Sequence, residues 1–174
     1  MESIVQAKRV LEIFKEMSQI PRESGNEKGI SDYIVNFAKN LGLEVHQDDQ
    51  FNVVIKKPAS PGYENRPSII LQGHIDMVCV RDHDSNHDFS KDPIANIIEG
   101  EWMHADHTTL GADNGMGGAM MLAILEDDSQ QHGPMQLLFT TNEETGMDGA
   151  FAIKEGQVSG DYLLNLDTEV EHDF

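Results

Sequence analysis

The sequence is short of cysteine, of basic residues and of long apolar runs. Cys79 is its one cysteine, so no disulfide can form within the chain, and a reducing compartment suits it. Lysine and arginine together number 12 against 31 aspartates and glutamates, a formal net charge of −19. A surface of that sign repels nucleic acid and anionic membranes and leaves cations as the natural partners. No apolar stretch approaches the ~20 residues of a membrane span. The opening "MESIVQAKRVLEIF" lacks the basic-then-apolar form of a secretory leader, and a cytoplasmic address is expected. Internal repeats and low-complexity tracts are also missing. The G-x-x-x-x-G-K-[ST] pattern of a phosphate loop and the D-x-[DN]-x-[DN]-G pattern of a calcium loop do not occur either.

What remains is a chain of 174 residues, the size of one ordinary domain. Ile4, Ala7, Leu11, Phe14 and Met17 recur at helical spacing, and that helix should stop before Pro21. A second helix is expected in "NEKGISDYIVNFAKNLG", with Asn26 as N-cap, Ile30, Ile34 and Phe37 buried, and Gly42 just past its end. "LEVHQD" and "NVVIKK" read as strands around a turn at Asp48–Asp49, and "SIILQGHID" as an apolar strand. "ANIIEGEWMHA" reads as a hairpin turning at Glu99–Gly100. "NGMGGAMMLAILEDD" reads as a glycine-rich helix start, "MQLLFTT" as a buried strand, "GMDGAFAIKEG" as a short helix and "DYLLNLD" as another buried strand. Alternating strands and helices predict an α/β domain with a mixed sheet flanked by helices on both faces.

Ligands in such sheets gather beyond the carboxyl ends of the strands. The predicted strands end at His74 and Asp76, at Glu143 and Glu144, and at Asp167, while Asp113 opens a helix. Each signal alone is weak. "HID" can be a surface pair, Asp113 a helix cap, and the Glu143–Glu144 pair a solvated loop. The two glutamates must sit where the strand breaks, because neighbours on a strand point to opposite faces. Together, one imidazole and several carboxylates match a metal site with nitrogen and oxygen ligands. Zinc leads, with manganese and cobalt open. A carboxylate shared by two ions suits a pair about 3.5–4 Å apart.

The ordered set "GHID", "GADNGMGG", "NEETG" and "NLD" resembles the co-catalytic zinc peptidases of the M20 clan. "LQGHIDMVC", "DFSKDPI", "HTTLGADNG" and "EETGMDGA" are similar, more narrowly, to the aminoacyl-histidine (Xaa-His) dipeptidases of that clan. The resemblance implies a zinc-peptidase-like catalytic domain, with His74 and Asp167 on one metal, Asp113 bridging two, and Glu144 on the second. Glu143 is then the general base and Asp76 the residue that steadies His74. It also implies a cis peptide between Asp113 and Asn114, and a dipeptide substrate.

Family members run longer. They carry an inserted lid and a last catalytic segment that supplies a further histidine to the second metal. Residues 1–174 therefore read as the N-terminal part of the catalytic domain, with the second metal site weak and an exposed sheet edge inviting self-association. The tail "EVEHDF" departs from the family pattern, so His172 is no substitute, and His107 has no assigned role. The competing readings are a folded metal-binding remnant without turnover and an M20-type hydrolase of N-acyl amino acids.

Overall fold

The computed structural model describes residues 2–167, with residues 2–5 as helical backbone only. Helix α1 spans Glu2–Ser18 and α2 Lys28–Asn40. Strands β1 (Glu44–Gln47), β2 (Val53–Lys57) and β3 (Ile69–His74) follow, then the hairpin β4 (Asn96–Glu99) and β5 (Trp102–Ala105). Helix α3 (Ala112–Glu126), β6 (Met135–Thr140), the short helices α4 (Glu143–Gly146) and α5 (Asp148–Ala152), and β7 (Tyr162–Asn165) complete the order.

The five-stranded sheet runs β1-β2-β6-β3-β7. Strands β3, β6 and β7 are parallel, while β2 runs antiparallel to β6 and β1 antiparallel to β2. The mixed α/β architecture expected from the sequence is the one observed. Side chains alternate across each strand. Val53, Ile55, Leu71, Leu137 and Phe139 face α1, α2 and α3 in the main core, whereas Val54, Ile70 and Leu138 face the other side. Fully burying each large apolar side chain of the main core contributes about 1.5–3 kcal/mol. The second face has a thinner cover than expected, with Ile153 and Val158 packing on it.

Several expectations shift in detail. The buried stripe of α1 is Ile13, Phe14 and Met17 with Val10 alongside, while Leu11 and Ala7 are exposed. The stripe is turned toward α3, whose Gly115 and Gly118 lie close against Phe14 and Met17. Helix α2 begins one residue later than an Asn26 cap would give. Asn26 closes a turn onto the Glu23 carbonyl, and Glu27 takes the N-cap position. Ile30 and Ile34 are buried as expected, but Ala38 replaces Phe37 as the third deeply buried position. At the other end Gly42 has φ 72, and the N–H groups of Leu43 and Gly42 donate to the carbonyls of Ala38 and Lys39, a Schellman stop. The hairpin pairs Glu99 with Trp102, so its turn is Gly100–Glu101, one residue on from the expected place. Strand β7 corrects the sequence reading more deeply. Tyr162, Leu163 and Leu164 are all more than half exposed, because β7 is an edge strand paired on one side to β3.

The register sets up the site. His74 pairs with Thr140, and Gln72 with both Leu138 and Asn165. The Leu166 N–H still donates to the Gln72 carbonyl at 2.8 Å. The carboxyl ends of β3, β6 and β7 therefore reach one edge of the sheet together.

Candidate metal centre

His74 ends β3 and is buried, as is Asp76 two residues on. Its Nδ1 lies 3.2 Å from Asp76 Oδ1, close enough for charge contact but off the line of a hydrogen bond. Its Nε2 lies 3.0 Å from Asp113 Oδ1 and 3.8 Å from Asp167 Oδ2. One atom each from His74, Asp113 and Asp167 falls within 4.8 Å of the others, and the same holds for His74, Glu143 and Glu144. The structure thus brings together the sequence-expected residues around one imidazole. His74 belongs to both groups, where the resemblance gives that shared place to Asp113.

Asp76 does more than face His74. Its Oδ1 accepts the Glu143 N–H at 3.1 Å, and its Oδ2 accepts the Glu144 N–H at 3.2 Å and the Ser24 hydroxyl at 2.7 Å. A buried carboxylate at the first turn of α4 satisfies donors that the helix cannot use. The Glu143–Glu144 pair sits where the strand breaks, as its adjacency requires, in a single helical turn after β6.

Asp113 stands at a break in α3. Asp113 and Asn114 have non-helical backbone angles, and the peptide between them is cis. The Asn114 side chain crosses to β7 and donates to the Leu166 carbonyl at 2.8 Å and to Asp167 Oδ1 at 3.3 Å. That crossing needs two glycines. A Cβ on Gly73 would lie 2.4 Å from Asn114 Oδ1, and one on Gly117 2.3 Å from it. Arg22, also buried, donates to the carbonyls of Ile75 and Asp76 at 3.1 Å each and to that of Gly111. It ties the exit of β3 to the entry of α3.

The local charge is one-sided. Burial pulls the His74 imidazole down, but Asp76, Asp167 and Asp113 outweigh it and hold the pKa up at about 9. Burial pushes Asp76 up, yet His74, the Ser24 hydroxyl and the N–H groups of Glu143 and Glu144 bring it down to about 2. Glu144 and Asp167 are raised, first by burial and then by neighbouring carboxylates, with His74 opposing. A cation among these groups would relieve that repulsion. The donor set, an imidazole with several carboxylates, fits zinc, manganese or cobalt.

The profile of peptidase family M20/M25/M40 matches residues 70–171, more than half of the chain. The chain belongs to the M20 peptidase family. Cytosol non-specific dipeptidase of Escherichia coli K12 is 47% identical over 160 residues, covering 92% of this chain and 33% of the relative. The crystal structure of aminoacylhistidine dipeptidase from Vibrio alginolyticus superposes with a TM-score of 0.91 at 47% identity, covering 94% of this chain and 33% of that one. A tripeptidase from Staphylococcus aureus gives 0.78 at 26% identity, covering 94% of this chain and 44% of the other. The chain thus spans about a third of the length of the two M20 relatives at 47% identity. No helix among the described residues is long and apolar enough to cross a membrane.

The sequence reading missed Arg22, Ser24 and Glu27, and gave the Asn114 side chain no role. A charged and polar run, "RESGNE", beside a helix start was the available signal. Nothing local marks its partners, which lie 52 to 115 residues away. The tail "EVEHDF" with His172 lies outside the described residues.

Proposed function

We propose that this chain carries a two-metal hydrolytic site that cleaves the peptide bond of dipeptides, those ending in histidine among them. His74, Asp113 and Asp167 would hold one ion, and Asp113 with Glu144 the second. Zinc is the preferred ion, with manganese or cobalt as substitutes. The observation that carries the reading is the double acceptance by Asp76 of the Glu143 and Glu144 N–H groups, which fixes both acids beside His74. The bound ions would polarise the scissile carbonyl and lower the pKa of the attacking water. Glu143 would take that water's proton on its carboxylate and pass it to the leaving amine. Asp76 faces the imidazole of His74 from the Nδ1 side at 3.2 Å and would steady it there, with Nε2 directed at Asp113 and Asp167.

The substrate class follows the names of the relatives, one a non-specific dipeptidase and one an aminoacylhistidine dipeptidase. The first name also supports a cytosolic address. The exposed edge of β7 supports self-association, to be read by sedimentation. The catalytic test measures hydrolysis of an Xaa-His dipeptide with added zinc or manganese, with chelator as control. Glu143→Ala should lose turnover and keep its metal, while Glu144→Ala should weaken metal binding. The opposite pattern in metal analysis would overturn the assignment.

A further inference from the structure

Glu27 occupies the N-cap position of α2 but makes no side-chain cap to its own helix. Its carboxylate is buried and turned elsewhere. Oε1 accepts the N–H of Gly25 and the N–H of Asn142, each at 3.0 Å. Asn142 immediately precedes the glutamate pair and has φ 55, in the left-handed region. Three successive N–H groups, those of Asn142, Glu143 and Glu144, are therefore each taken by an oxygen of a buried carboxylate: Glu27 Oε1, Asp76 Oδ1 and Asp76 Oδ2. Ser24 holds that second carboxylate through its hydroxyl. Arg22, from the same short loop, holds the carbonyls of Ile75, Asp76 and Gly111.

One loop, residues 22–27, thus reaches each of the segments that carry His74, Asp113 and the glutamate pair. A residue selected for α2 alone would cap α2, and a buried carboxylate is costly to place without a use. We infer that this loop is the positioning element of the candidate metal centre, with Glu27 and Ser24 as positioning residues that fix the directions in which Glu143 and Glu144 leave the backbone. The inference rests on the metal-peptidase reading given above.

The test compares Glu27→Ala, Glu27→Gln, Ser24→Ala and Glu144→Ala with the unaltered protein. Zinc affinity is measured by calorimetry on chelator-stripped protein, and thermal unfolding without metal is measured beside it. Removing a group that orients a ligand costs about tenfold or more in metal affinity. Glu27→Ala and Ser24→Ala should each lose about that much, and Glu27→Gln, whose amide oxygen still accepts both N–H groups, should bind zinc as the unaltered protein does. Glu27→Ala with a lower melting temperature but unchanged zinc affinity overturns the inference. So does a Glu27→Gln variant as weak as Glu27→Ala. If Glu27→Ala fails to fold, unchanged zinc binding by Ser24→Ala overturns it. A Glu144→Ala variant that binds zinc normally instead overturns the metal-site reading itself, and the inference with it.

Discussion

Asp76→Asn isolates the buried carboxylate on which the glutamate turn depends. The asparagine amide keeps the shape but has one accepting oxygen. Whichever way it is turned, either the Glu143 or the Glu144 N–H meets an NH2 group instead of an oxygen. Ser24 can rotate its hydroxyl to accept, so that contact is recoverable. One hydrogen bond to a charged group is lost, worth about 1.5–3 kcal/mol. The pKa gives a broader measure, because it sets the cost of burial against the contacts of the carboxylate with His74, Ser24 and both N–H groups. Asp76 is held at about 2 against an ordinary 3.8, a difference worth about 2 kcal/mol of folding stability. A depressed carboxylate pKa favours the fold above its unfolded value and loses that contribution as pH falls through the folded one. Thermal unfolding of metal-free protein should therefore show Asp76→Asn melting about 4–8 °C low at neutral pH. The gap should close as the solution is acidified from pH ~4 toward ~2. Equal stability at neutral pH, or a gap that persists unchanged in acid, would refute the reasoning.

Two further outcomes follow from the same geometry. Gly117→Ala gains about 1 kcal/mol of helix propensity, but its Cβ would press on the Asn114 amide at 2.3 Å. Displacing that amide from Leu166 costs about 1–3 kcal/mol in overpacking and about 1 kcal/mol in hydrogen bonding. Calorimetric melting should show a net loss of about 1–3 kcal/mol, and a raised melting temperature would contradict the close-approach argument. With His74 held up at about 9, a metal must displace a proton. Zinc affinity should then fall about tenfold for each pH unit below that value, and a titration flat between pH ~6 and ~8 would rule out proton competition at His74.

Much of the candidate site was legible because its residues lie at strand ends, and strand ends are marked where an apolar run turns polar. "SIILQGHID" and "MQLLFTTNEE" each change character within two to four residues of the candidate ligand. The break needed by adjacent Glu143 and Glu144 follows from strand geometry alone. Partners across the fold were not legible. Glu27 lies at the start of the expected second helix, and nothing near it in sequence marks its distant partner, the N–H of Asn142. The rotation of the α1 stripe depends on where α3 lies, which periodicity in α1 does not contain. Strand β7 shows the same limit from the other side. An apolar run such as Tyr162–Leu164 reports that burial would be favourable, not that a neighbour is there to provide it.

The parallel arrangement of β3, β6 and β7 has a consequence for assembly. Parallel neighbours cannot pair through a tight turn, so each long connection must close before its strand docks. The first group of candidate ligands draws on residues 74, 113 and 167, and the last of these arrives with the edge strand. A chain emerging residue by residue would hold His74 long before Asp167 exists to face it. In the proposed site, metal capture by that triad would be a late event, following the pairing of β3, β6 and β7 instead of nucleating it. Metal loading would then report that β7 has docked on β3, a step slow for the same topological reason that such sheets fold slowly.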